Sequence, residues 1–137
     1  MAGPTAARTR TTAQQAGDAA EELVAVLLTE GGWTVLARNI HVGRHELDLV
    51  AVDPGPPAFL VIVEVRWRAS RDFGFPEETV DHRKRARLRR AAYALIEIGR
   101  LPGGGSLPRL ALRFDLVVVE PGRDGAPPRV RHHRSAF

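Results

Sequence analysis

The chain has no cysteine, which excludes disulfide frameworks and thiolate metal centres. Lysine is nearly as scarce: of the 20 basic residues nineteen are arginine, and Lys84 is the single exception. No uninterrupted apolar run approaches the ~18 residues of a membrane-spanning helix, so no membrane partner is expected. Met1 to Thr12 carry Arg8 and Arg10 but no apolar core segment, which argues against a secretory signal and for a solvated tail over residues 1–11. Without export signals a cytoplasmic setting is expected. There is no P-loop, no G-x-G-x-x-G, no zinc-ligand spacing and no nucleophile elbow, so nucleotide-cradling and serine-hydrolase chemistries have no foothold.

What remains is the composition of one globular domain. The chain has 137 residues, 44% hydrophobic and 26% charged, with a formal net charge of +4. That length supports one core and is short for two, so residues 12–137 are expected to form a single domain. The arginine bias suits bidentate phosphate contacts, although net charge alone is weak evidence for a nucleic-acid partner.

The periodicity predicts a helix over Thr12 to Glu30, with Thr12 as N-cap and Gly31-Gly32 ending it. Strands follow at Trp33 to Ile40, His45 to Val52 and Ala58 to Arg68. The third holds the most apolar stretch, FLVIVEV, which suits a central strand. The turn signal Asp53-Pro54-Gly55-Pro56-Pro57 separates the second strand from the third. After a polar loop from Ala69 to Glu78, a second helix spans Asp81 to Gly99. A fourth strand spans Arg109 to Val119, and Arg129 to His133 adds an edge strand. The order α-β-β-β-α-β predicts an α/β (α+β) fold: a three-strand antiparallel meander and a crossover helix, giving a mixed sheet flanked by helices.

Charges interrupt the apolar strands at Asp48 in ELDLVAV and at Glu64 and Arg66 in VIVEVRW. Such charges need a partner or a metal. A hairpin turn centred on Pro56 sets Asp48 opposite Glu64 and Glu46 opposite Arg66. Facing carboxylates destabilise a sheet unless a cation lies between them or one keeps a proton. Mg²⁺ or Mn²⁺ fits a carboxylate oxygen set, with Arg66 placed to hold a phosphate. The competing reading is a Glu46–Arg66 cross-strand salt bridge, with Asp48 capping the turn. Asp115, in RFDLVVV, either pairs with Arg113 or supports the acidic pair from behind. His41 and His45 are too far apart along a strand to share a metal. His132-His133 read as solvated, and Trp33 and Trp67 as core or interface residues.

The acid on one strand followed by E-x-K/R on the next resembles the PD-(D/E)XK nuclease superfamily. More closely, the chain resembles the YraN family, small bacterial proteins related to archaeal Holliday-junction resolvases. The resemblance rests on an ordered series: GDAAEE (Gly17 to Glu22), Arg38-Asn39, ELDLV (Glu46 to Val50), VEVR (Val63 to Arg66) and FGFP (Phe73 to Pro76). It continues through the Lys84 helix, RFD (Arg113 to Asp115) and Ala136-Phe137. It implies a restriction-endonuclease-like core and metal-dependent cleavage of DNA, branched or single-stranded. It further implies Asp48 and Glu64 as metal-binding acids, with Glu21 as a further ligand or a supporting base. Glu46 matches the family's G-E-I-D-L glutamate. Arg66 stands where the family has lysine, and His45 where it has glycine. Resolvase-like proteins also dimerise, and the apolar surroundings of Trp67 offer a surface for a homodimer.

The second helix supplies the expected nucleic-acid contact. Between Thr79 and Arg100 there are seven basic residues and two acids. Arg83, Arg87 and Arg90 form one stripe, suited to phosphates, while Leu88, Ala91, Leu95 and Ile98 form the packing face. Lys84 falls within the apolar arc, directed at the sheet, where it would supply the ammonium that Arg66 lacks; the alternative is a lysine snorkelling at the core's edge. Two further functions stay open: a binding module that keeps the fold with little activity, and a protein-interaction module whose acids are structural.

Overall fold

The computed structural model describes residues 11–68 and 81–137. Most of the expected tail, the polar loop and the FGFP motif lie outside the described residues. The elements are α1 (Thr12–Glu30), β1 (Thr34–Val42), β2 (His45–Asp53), β3 (Phe59–Trp67), α2 (His82–Ile98), β4 (Ala111–Glu120) and β5 (Arg129–His133). The N-cap of α1 is Thr11, not Thr12. Gln14 lies three residues beyond Thr11, and each side chain bonds the other's backbone N–H in a reciprocal capping box. Asp81 caps α2, its carboxylate accepting from the Lys84 N–H at 2.9 Å. Gly99 ends that helix at φ 73°, in the left-handed region open to glycine.

The five strands form one sheet in the order β1-β2-β3-β4-β5. β3 and β4 run parallel, and every other neighbouring pair is antiparallel. A parallel pair needs a crossover, and α2 provides it. The β2–β3 register runs from Asp53↔Phe59 to Leu49↔Val63, which is the register of a hairpin centred on Pro56. β1 extends two residues beyond its expected end, because Ile40 and Val42 alternate into the core.

Two apolar layers cover the sheet. α1 packs Ala20, Val24, Ala25 and Leu28 against Leu49, Ala51, Val61, Val63 and Val117. α2 packs Leu88, Ala91, Ala92 and Leu95 against Leu47, Val50, Leu60, Ile62 and Phe114. Ile98 does not belong to the packing face: it is 65% exposed, one step beyond the buried arc in the last turn of the helix. β3 contributes buried side chains to both layers, as its continuous apolar run requires. A mixed sheet in this strand order, with a helix on each face, is a restriction-endonuclease-like core.

Candidate functional site

The paired residues of β2 and β3 stop at Leu49↔Val63, although both strands continue past that point. Asp48 and Glu64 are the next residues in register, standing where the two strands part. Asp48 fills the gap left in the ladder, its Oδ2 accepting from the Val65 N–H at 2.9 Å. Its carboxyl group also hydrogen-bonds the Glu64 carboxyl group. Burial first, and then the negative charge of Glu64, push Asp48 up to about 8, against the Val65 N–H. Near neutral pH this carboxyl group therefore keeps its proton unless a cation compensates it.

Glu21 reaches the pair from α1. Its carboxyl group bonds Asn39 and Asp48. Burial, then repulsion from Glu46 and Asp18, raise it above the ordinary range and outweigh those bonds. Its Oε2 is buried with no hydrogen-bond partner. Asn39 sits at φ 50°, a left-handed conformation that asparagine tolerates better than most side chains.

Two cations approach Glu64, which is 5% exposed. Lys84 Nζ, from α2, lies 2.5 Å from Glu64 Oε1. Arg66 Nε lies 3.7 Å from the same oxygen, beyond hydrogen-bond reach, and is buried without a hydrogen-bond partner. The ammonium rather than the guanidinium is thus bonded to this acid. Glu46 is exposed and lines an open recess with Asp18, Glu21, Asp48, Arg38, Asn39 and His41.

The donor set suits a hard divalent cation. Carboxylate oxygens from Asp48, Glu64 and Glu21 lie in one chain of contacts, ending in the orphaned Glu21 oxygen. Among the described residues no group of three or more His, Asp or Glu side chains stands placed to hold a metal ion. A divalent ion here would therefore rest on one or two of these carboxylates and on water, as Mg²⁺ commonly does.

Asp115 lies elsewhere. Fully buried on β4, it accepts from Arg113 Nε at 2.8 Å and Nη2 at 2.9 Å and from the Ser135 N–H at 3.1 Å, with His132 Nε2 2.8 Å away. Of its two sequence readings, pairing with Arg113 is the one the structure shows. Arg113 Nη2 also reaches Asp53 at 2.9 Å, and the guanidinium lies over the Phe59 and Trp33 rings. His132 is correspondingly not a solvated tail residue: it meets Asp115 and the edge of Trp33. This ionic cluster joins three distant segments and had no local signature except Arg113-x-Asp115. Arg83, Arg87 and Arg90 are exposed on α2, and Lys84 is half-buried beside them.

A family model described as uncharacterised protein family UPF0102 matches residues 20–119. A UPF0102 protein of Symbiobacterium thermophilum is 42% identical over 112 residues, covering 82% of this chain and 87% of its own length. One from Anaeromyxobacter dehalogenans is 44% identical over 126 residues, covering 90% of this chain and 84% of its own length. One from Bifidobacterium longum is 38% identical over 128 residues, covering 92% and 95%. The match spans both acids of the strand pair, the Glu21 helix and Lys84, and with it the YraN-like resemblance of the motifs is met: the chain belongs to the UPF0102 family.

Proposed function

We propose that this protein is a divalent-metal-dependent phosphodiesterase acting on DNA. The observation that carries the reading is the pairing of half-buried Asp48 with buried Glu64, two carboxyl groups sharing a hydrogen bond at the parting of β2 and β3. Asp48 and Glu64, with Glu21, would hold Mg²⁺ or Mn²⁺. Bound there, the ion would supply Lewis acidity toward a phosphodiester and a more acidic water.

The chain's own residues divide the remaining work. Asp48 would give up its proton to hold the ion. Lys84 stands on Glu64 and can both offset charge on the phosphoryl oxygens and donate a proton, which a guanidinium cannot do near neutral pH. Arg66, one pleat along β3, presents positive charge to a non-bridging oxygen. Arg83, Arg87 and Arg90 hold the DNA backbone by charge.

The test is cleavage of labelled single-stranded, duplex and branched DNA with Mg²⁺, Mn²⁺ or EDTA, beside the Glu64→Gln protein. Metal-dependent cutting that Glu64→Gln lowers by 10²-fold or more (~3 kcal/mol in the barrier) is the expected result. Cutting retained by a folded Glu64→Gln protein would overturn the assignment.

A second reading is a nucleic-acid-binding module that keeps the fold without efficient cleavage. It is favoured by the 2.5 Å Lys84–Glu64 contact, which occupies an oxygen that an ion would need, and by arginine at position 66. It predicts DNA binding that weakens steeply with salt and is indifferent to EDTA.

A further inference from the structure

The β1–β2 turn and α2 enclose a groove beside the acidic pair, lined by Arg44, His45, Glu46, Lys84, Arg87 and Leu88. Its volume is about 280 Å³, small for a drug-sized ligand site and on the scale of one nucleotide. Arg44 comes from the turn and Arg87 from the helix, so two walls each bring an arginine to the same lining. Lys84 lies between this groove and Glu64. Glu46 is the one carboxylate in the lining, and it also lines the acidic recess that contains Glu21 and Asp48. A basic groove and an acidic recess thus meet along a single residue.

We infer that this groove seats a backbone phosphate of a single nucleic-acid strand, next to the phosphodiester at the Asp48–Glu64 pair. The inference rests on the phosphodiesterase reading for what happens at the pair, but the seat itself requires no catalysis. Two guanidiniums on facing elements match the oxygens of one phosphate, each offering a planar fork of donors. His45 adds an imidazole to the same lining and so makes the turn part of the seat. Glu46 repels a phosphate and confines it to the α2 side. The groove's volume, about 280 Å³, matches one nucleotide of a single strand. The substrate region entering the groove is therefore single-stranded: an end, a flap or an unpaired junction arm.

The experiment is fluorescence anisotropy of a fluorescein-labelled oligo-dT in EDTA across a salt series. The wild type is compared with the Arg44→Ala/Arg87→Ala double variant, and with Arg109→Ala/Arg123→Ala as a control of equal charge loss at two exposed positions. The groove variant is expected to reduce the slope of log K against log salt by about 0.7, the value for one single-strand phosphate that is no longer neutralised. The control is expected to keep the wild-type slope, and fully duplex DNA to show a smaller change in the groove variant. An unchanged slope in a folded groove variant would overturn the seat, as would an equal change in the control. Because no metal is present, loss of the seat and loss of the nuclease reading are told apart. A metal-dependent cutter with an unaltered slope loses only the groove, and a non-cutting protein with the altered slope loses only the chemistry.

Discussion

Asp48 serves the backbone and, on the proposed reading, the chemistry as well. Its Oδ2 completes the β-ladder at Val65, while the same carboxyl group is neutralised by burial and by Glu64. The folded chain therefore binds a proton between the ordinary value of 3.8 and about 8, where the unfolded chain has released it. With fewer protons on the unfolded state, stability falls as pH rises across that window and levels off above it. Asp48→Asn cannot ionise and keeps an acceptor for Val65. In metal-free buffer its Tm should gain on the wild type from about pH 5 to about pH 8; parallel Tm curves would contradict this account. If the pair holds a divalent ion as proposed, its binding below about pH 8 should release a proton, raising affinity about tenfold per pH unit. The acids, Lys84 and the opposed register were all legible in sequence, because alternation and the Pro56 turn leave few ways to pair β2 with β3. That Lys84, rather than Arg66, bonds Glu64 was open, because the choice depends on where α2 crosses the sheet.

At the scale of elements, the Asp53–Arg113–Asp115–His132 cluster ties β2, β4 and β5 together at the level of side chains. Arg113 is 9% exposed and Asp115 0% by side chain, so neither charge has water to fall back on. Asp115→Ala leaves Arg113 with Asp53 alone among these acids, and should cost about 3–5 kcal/mol, the usual penalty for removing one partner of a buried pair. Urea denaturation measures it; a loss below 1 kcal/mol would mean that the cluster does not bear on stability. The elements themselves were readable from period and caps, with errors confined to ends: Thr11 instead of Thr12, Val42 instead of Ile40, and Ile98 outside the packing face. The cluster was not readable. It depends on the β4–β5 register, and the eight-residue Gly/Pro-rich connection from Pro121 to Pro128 marks a turn without setting that register.

For the whole molecule, the site is a product of topology. Asp48 and Glu64 come from adjacent strands of one hairpin, Glu21 and Lys84 from helices on opposite faces of the sheet. The order of elements was evident from hydrophobic pattern, and Glu46, Lys84 and Arg87 were singled out by residue type; their meeting with Arg44 in one groove was not evident, since turn and helix meet only in the folded chain. No described helix is long and apolar enough to cross a membrane.

The parallel neighbour of β3 also shapes how the chain reaches this fold. β2–β3 closes locally across the Pro56 turn, but β3 meets β4 only after the chain between Trp67 and Ala111 has looped back. Closing that longer loop costs entropy before any contact rewards it. Until then β3 is an open edge of apolar side chains, and such edges recruit other chains. In pulsed hydrogen exchange during refolding, amides bonded between β2 and β3 should gain protection before those bonded between β3 and β4, and the yield of soluble protein should fall as concentration rises. Simultaneous protection of both ladders, with a concentration-independent yield, would show that the crossover forms as early as the hairpin and that β3 is never left bare.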